Sequence, residues 1–190
     1  MKKLMLSVSA IILLVCFNQL KAQTHVGIKG GVNFSNVTQL NGDERISGQG
    51  GVFVHQALNK HWCIQPELLY SMQGERSFDE NGVKNDLNLN YLQLPVMFQY
   101  NATRKFYVEA GPQAGYLVSA NRESTGEEKT SVKDNYKKLD LGVNAGVGVN
   151  ATKNIGFYAR YNLGLSDVSK LDDVNRKNRN FAVGAAIRLQ

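Results

Sequence analysis

From residue 24 onward the chain alternates apolar and polar positions with a period of two, and no stretch sustains the 3.6-residue apolar period of an amphipathic helix. In the first segment Val26, Ile28, Gly30, Val32 and Phe34 share one face, and His25, Gly27, Lys29, Gly31 and Asn33 share the other. The same alternation predicts strands near 62–73, 89–100, 105–119, 139–150, 155–165 and 181–189. It is cleanest at 139–150, where Leu139, Leu141, Val143, Ala145, Val147 and Val149 oppose Asp140, Gly142, Asn144, Gly146, Gly148 and Asn150. An eighth segment, about 50–58, has no readable phase, because Val52-Phe53-Val54 is apolar on both faces. Each segment is close to the ~9–11 residues that a tilted strand needs to cross a bilayer.

The links between segments alternate strictly in length. Asn59-Lys60, 101–104 and 151–154 read as tight turns, whereas 36–49, 74–88, 121–137 and 167–179 read as long polar loops. An up-and-down barrel with both termini at one rim produces that order. Outer-membrane barrels place short turns in the periplasm and long loops outside. The expected fold is therefore all-β: an eight-stranded antiparallel up-and-down transmembrane β-barrel.

The polarity of the two faces points to lipid rather than to water. A soluble barrel keeps its large apolar side chains inside. Here the non-apolar face is built from Gly, Asn, Gln and isolated charges, a poor soluble core but a reasonable narrow lumen. Trp62, Tyr70, Phe98, Tyr100, Phe106, Tyr116, Phe157 and Phe181 fall mostly near strand ends on the apolar face, where aromatic girdles sit. Closure also pairs every backbone donor and acceptor, as lipid requires.

The inward charges are balanced: Lys29, Arg160 and Arg188 against Glu67, Glu109 and Asp140. Eight strands enclose an interior that side chains just fill. These six residues are expected to form a paired network inside a packed lumen, the inward glycines giving room for it. The alternative is a gated path for protons or small solutes through the same charges.

Composition changes the picture little except at the N-terminus. Lys2 and Lys3, the apolar run Leu4–Phe17 and Leu20-Lys21-Ala22 read as a secretory signal peptide, residues 1–22, cleaved after Ala22. The mature chain, 23–190, is expected to be one barrel domain. The leader takes three lysines with it, so 22 basic residues become 19 against 16 acidic ones, a net charge of +3. That argues against nucleic acid as a partner. Cys16 leaves as well, so Cys63 has no disulfide partner within the exported chain.

Candidate chemistry is sparse. His61-x-Cys63 supplies two ligands where metal sites want three or four, and a two-residue turn would place Gln56, not His55, opposite Cys63. No nucleophile elbow, zinc-protease helix motif or phosphate-cradling glycine loop occurs. No metal, cofactor or catalytic activity is expected. The long segments 121–137 and 167–179 mix charges of both signs and read as solvated loops against lipopolysaccharide, or as a docking surface for an envelope protein.

Three stretches resemble the PorT-like small outer-membrane β-barrel family. They are Ile64-Gln65-Pro66-Glu67-Leu68-Leu69-Tyr70-Ser71-Met72-Gln73-Gly74, Tyr91-Leu92-Gln93-Leu94-Pro95-Val96-Met97, and the hairpin from Leu139-Asp140-Leu141-Gly142-Val143 to Ala159-Arg160-Tyr161-Asn162 and Gly164-Leu165. The resemblance implies an integral barrel in the outer membrane of a Gram-negative envelope. One member of that family is linked to assembly of a protein secretion system, a role that fold alone does not transfer. The chain departs from many outer-membrane barrels in ending Arg188-Leu189-Gln190 rather than on an aromatic residue.

The expected function is a structural or interaction role in the cell outer membrane, through extracellular loops and with a plugged lumen. Outer-membrane lipid and lipopolysaccharide are the expected surroundings. The alternatives are a narrow porin-like channel or an accessory barrel of a secretion or transport system, a membrane enzyme, and a soluble periplasmic barrel with its apolar face turned inward.

Overall fold

The computed structural model describes residues 24–38, 43–80, 83–124, 130–168 and 176–189; the leader read at 1–22 lies outside them. Among the described residues nine strands occur in order: β1 (Thr24–Val37), β2 (Asp43–Ala57), β3 (Trp62–Glu80), β4 (Val83–Asn101), β5 (Phe106–Ser124), β6 (Thr130–Ser131), β7 (Leu139–Asn150), β8 (Ile155–Gly164) and β9 (Asn178–Leu189). Each long strand pairs antiparallel with its neighbours in sequence, β5 passes to β7, and β9 returns to pair with β1. The two-residue β6 only extends the outer end of β5. The result is a closed eight-stranded antiparallel barrel.

The short links form one end, the turn end. They run over 58–61, 102–105 and 151–154. Ala57 pairs with Cys63, so the first turn is longer than the two residues expected, and the register moves by one. That shift resolves the unphased strand. Phe53 and His55 point inward and Val52 outward, with Phe53 lying over Gly27, where a Cβ would come within 2.2 Å of its ring.

The expected facing holds in the other barrel segments. Ile28, Leu68, Leu94, Val108, Leu141 and Phe157 are exposed on the outside, while Lys29, Glu67, Gln93, Glu109, Asp140 and Tyr158 are buried inside. All eight aromatics assigned to the apolar face are exposed there. Trp62 and Tyr100 pack at 5.0 Å between ring centroids near the turn end.

The loop end differs from expectation. The stretch 74–88 is not a long loop. β3 and β4 each run for 19 residues, about twice what a crossing requires, and pair out to Glu80 and Val83. Beyond the lipid-facing band the alternation changes sign. On β4, Leu87, Leu89 and Tyr91 are fully buried, while Asp86, Asn88 and Asn90 face outward. A bulge at this level leaves Val118 as an extra residue, because Asn90 pairs with Ser119 and Tyr91 with Leu117. The extra residue re-aims β5, so that Ala120 rather than Ser119 is buried against Leu89. Val37, Leu117 and Ala120 join β4's side chains, and Tyr136 and Val168 from the loop-end links complete a buried apolar cluster.

Candidate functional site

The interior is layered along the barrel axis. At its middle, four strands send charged side chains to one point: Lys29 from β1, Glu67 from β3, Glu109 from β5 and Arg160 from β8. The ladders set that height, since Glu109 and Arg160 both lie opposite Gly146 of β7, and Lys29 and Glu67 both flank β2 at Gly51–Phe53. Gly146 contributes no side chain, and an added Cβ would come within 3.2 Å of Glu109 Oε1.

Arg160 is the hub. Its Nη1 and Nη2 donate to both oxygens of Glu67 at 2.8 and 2.9 Å. Its Nε donates to Glu109 Oε1 at 2.8 Å, and Nη2 lies 2.7 Å from the same oxygen. Lys29 Nζ donates to Glu67 Oε1 at 3.0 Å and sits 3.9 Å from the centroid of the Tyr158 ring. Gln65 and Gln99 donate to Glu67 and Glu109 at 2.8 and 2.9 Å. Two cations therefore face two anions, with all four side chains at most 4% exposed. A buried charge is tolerable only when paired and hydrogen-bonded, and the forked guanidinium on carboxylates is the strong form of that pairing.

The other two residues expected in this network stand elsewhere. Asp140 lies nearer the loop end, where Asn178 Nδ2 and Ser166 Oγ donate to it at 2.9 and 2.8 Å. Arg188 sits at the turn end, donating to Asn150 Oδ1 at 3.0 Å and to the Lys153 carbonyl at 3.3 Å. Period two assigns a side chain to a face but not to a height, and strand stagger separates these two from the four.

Between the charged layer and the apolar cluster lies a layer of amides. Asn162 donates to Asn144, Asn144 to Gln113, and Asn180 to Asn33, each at 3.1 Å. A cavity of about 10 Å³ bounded by Gln93, Gln113, Asn144, Asn162 and Asn180 has room for about one water. On the turn side of the charges, His55 bonds Gln65 at 3.1 Å. Tyr107 lies over Gly148, where an added Cβ would fall 2.1 Å from the ring.

The sequence reading missed His55, Gln65, Gln99 and Tyr158 as supports of the charged layer. It also missed the whole apolar cluster. The signal for the cluster was present in Asp86-Leu87-Asn88-Leu89-Asn90, which alternates with a period of two but in antiphase to the strand that follows. The pair His61 and Cys63 does not act together. His61 is exposed and stacks on Tyr100, whereas buried Cys63 accepts from Asn101 Nδ2 at 3.2 Å. No group of three or more potential metal ligands of the His, Cys, Asp and Glu types occurs among the described residues.

A closed ring with an apolar belt outside and a charged, hydrogen-bonded interior defines an outer-membrane barrel. The family model for the outer membrane protein beta-barrel domain matches residues 17–170, and the chain belongs to that family. Its place is accordingly the outer membrane. Among solved structures, the attachment invasion locus protein Ail of Yersinia pestis matches with a TM-score of 0.52 at 20% identity, over 88% of this chain and 100% of Ail. Ail in complex with the heparin analogue sucrose octasulfate matches with a TM-score of 0.53 at 18% identity, over 88% and 100%. Neisserial surface protein A matches with a TM-score of 0.51 at 10% identity, over 87% of this chain and 97% of that one. At these identities the likeness is one of fold. No curated protein matches the chain.

Proposed function

We propose that the chain is a plugged outer-membrane barrel, without catalytic activity, that works through its loop-end surface. The observation that carries this reading is the pair of side-chain layers across the interior. One is the Lys29–Glu67–Arg160–Glu109 layer; the other is the apolar cluster of Leu87, Leu89, Tyr91, Leu117, Tyr136 and Val168. An ion moving along the axis would have to part both. The overrun of β3, β4 and β5 beyond the lipid-facing band adds a rigid platform to that end. Ail's complex with a heparin analogue is an instance of a barrel of this fold holding a sulfated ligand. The likeness of the 64–74 and 91–97 strands to PorT-like members, and a leader cleaved after Ala22, belong to the same reading.

Single-channel recording in planar bilayers tests it. A plugged lumen gives no steady openings from the wild-type protein. Steady openings that vanish in Glu109→Gln or Arg160→Gln would replace it with a narrow channel or an accessory barrel of a transport system.

A further inference from the structure

The turn end carries cations and no acids. Lys60, Arg104, Lys105, Lys153 and Arg188 are all there, and no Asp or Glu stands with them among the described residues. The described acidic side chains are either sealed in the interior, as Glu67 and Glu109 are, or lie toward the loop end.

The three turns share one build although their sequences differ. In each, a side-chain oxygen accepts from the backbone N–H groups two and three residues on. Asn59 accepts from His61 and Trp62, both at 2.9 Å. Thr103 accepts from Lys105 and Phe106 at 3.2 and 2.9 Å, and Thr152 from Asn154 and Ile155 at 3.2 and 3.0 Å. This is a capped tight turn, and in every case the residue after the cap is basic: Lys60, Arg104 and Lys153. All three are exposed at the tip. The turns are also tied to the strands beside them, by Asn101 N–H to the His61 carbonyl at 2.7 Å, Asn150 to Lys105 at 2.7 Å and Arg188 to Asn154 at 2.8 Å. The cations therefore ride on a rigid rim. Beside Lys153 and Arg188 the rim carries a cavity of about 240 Å³, lined also by His25, Asn154 and Leu189.

Depth decides what this rim meets. Trp62, Phe106 and Ile155 directly follow the turns and begin the exposed outer face. The cations thus stand just beyond the edge of the apolar band, at the level of lipid phosphates. We propose that the turn-end rim binds the headgroups of anionic phospholipids, of the phosphatidylglycerol or cardiolipin class, in the leaflet on that side. Zwitterionic headgroups offer no net charge to the rim. A basic side chain at an anionic membrane surface is worth about fivefold in partition. The proposal rests on the barrel's place in the membrane and is independent of whether the lumen conducts.

The test uses the full chain purified from outer membranes into micelles doped with equal phosphatidylglycerol and phosphatidylethanolamine, with retained lipids counted by native mass spectrometry. Wild type is expected to retain phosphatidylglycerol in at least about tenfold preference, and K60Q/R104Q/K105Q/K153Q to retain the two lipids about equally. K138Q/R179Q, at the loop end, is expected to behave as wild type. A gel-mobility shift on boiling verifies folding, and single K60Q and K153Q variants, read for partial loss, serve if the fourfold variant does not fold. Equal retention by wild type, a preference that survives the fourfold change, or equal loss in the loop-end control would overturn the proposal. An acidic protein held in place of lipid, and released by the fourfold change, would overturn it in favour of a protein partner.

Discussion

Strand β4 belongs to two different proteins in physical terms. From Leu92 to Tyr100 its leucines and aromatics face out and its glutamines face in, with Met97 among them; from Asp86 to Tyr91 its leucines face in and its asparagines face out. The backbone continues unbroken through both halves. What changes is the solvent. Lipid outside makes the exterior the apolar side and leaves polar groups to satisfy one another within. Water outside restores the ordinary arrangement, with an apolar core under a polar surface. The bulge at Asn90–Tyr91 marks the boundary, and the two halves are held by different forces: charge pairing in one, apolar burial in the other.

The largest effect is expected where charge pairing is concentrated. Arg160→Ala leaves Glu67 and Glu109 buried against Lys29 alone, and breaking a buried pair costs about 3–5 kcal/mol. Urea unfolding in lipid vesicles would show it, with Trp62, the single tryptophan, as the fluorescent reporter. Adding Glu67→Gln to Arg160→Met restores a one-to-one balance and is expected to recover most of the loss. No recovery would mean that packing rather than charge holds this layer.

The same substitution on the same face of β4 should read out the change of solvent. Leu94→Lys puts a charge into lipid at about 2 kcal/mol, whereas Asn88→Lys enters water and should stay within about 0.5 kcal/mol. Equal costs would erase the proposed boundary. Close packing inside is sharpened by Gly148→Ala, whose methyl collides with the Tyr107 ring; overpacking of this kind costs about 1–3 kcal/mol. The smallest effect belongs to the loop end's ion pair between Lys137 and Asp167, 3.0 Å apart and partly exposed. Lys137→Gln should cost less than about 1 kcal/mol, and less still in high salt.

Within the lipid-facing band, the strands and their facing were legible because lipid makes the two faces chemically opposite. Legibility failed where that contrast was absent. Val52-Phe53-Val54 hid its phase because a large inward aromatic fills the hollow over Gly27, which is distant in sequence and which the ladder places alongside. Leu87 read as a loop residue, and Leu89, at the edge of the predicted strand, was given no core role, because the stretch around them is polar and their apolar positions alternate out of step with Leu92, Leu94 and Phe98. Of the six inward charges, all were assigned to a face, yet only Lys29, Glu67, Glu109 and Arg160 meet. Height follows from ladder register, and at the first turn the register differs by one from that of a two-residue link.

The most direct measurement is spin labelling of single cysteines along β4, residues 86 to 98, with Cys63 replaced by Ala and the protein in vesicles. Collision with a water-soluble nickel chelate and with oxygen reports the surroundings of each label. A change of solvent at Tyr91 predicts chelate contact at 86, 88 and 90, oxygen contact at 92, 94, 96 and 98, and neither at the odd positions. Chelate contact at the odd positions would mean a water-filled lumen, and oxygen-rich lipid around 86 to 90 would mean that the strand does not change solvent there.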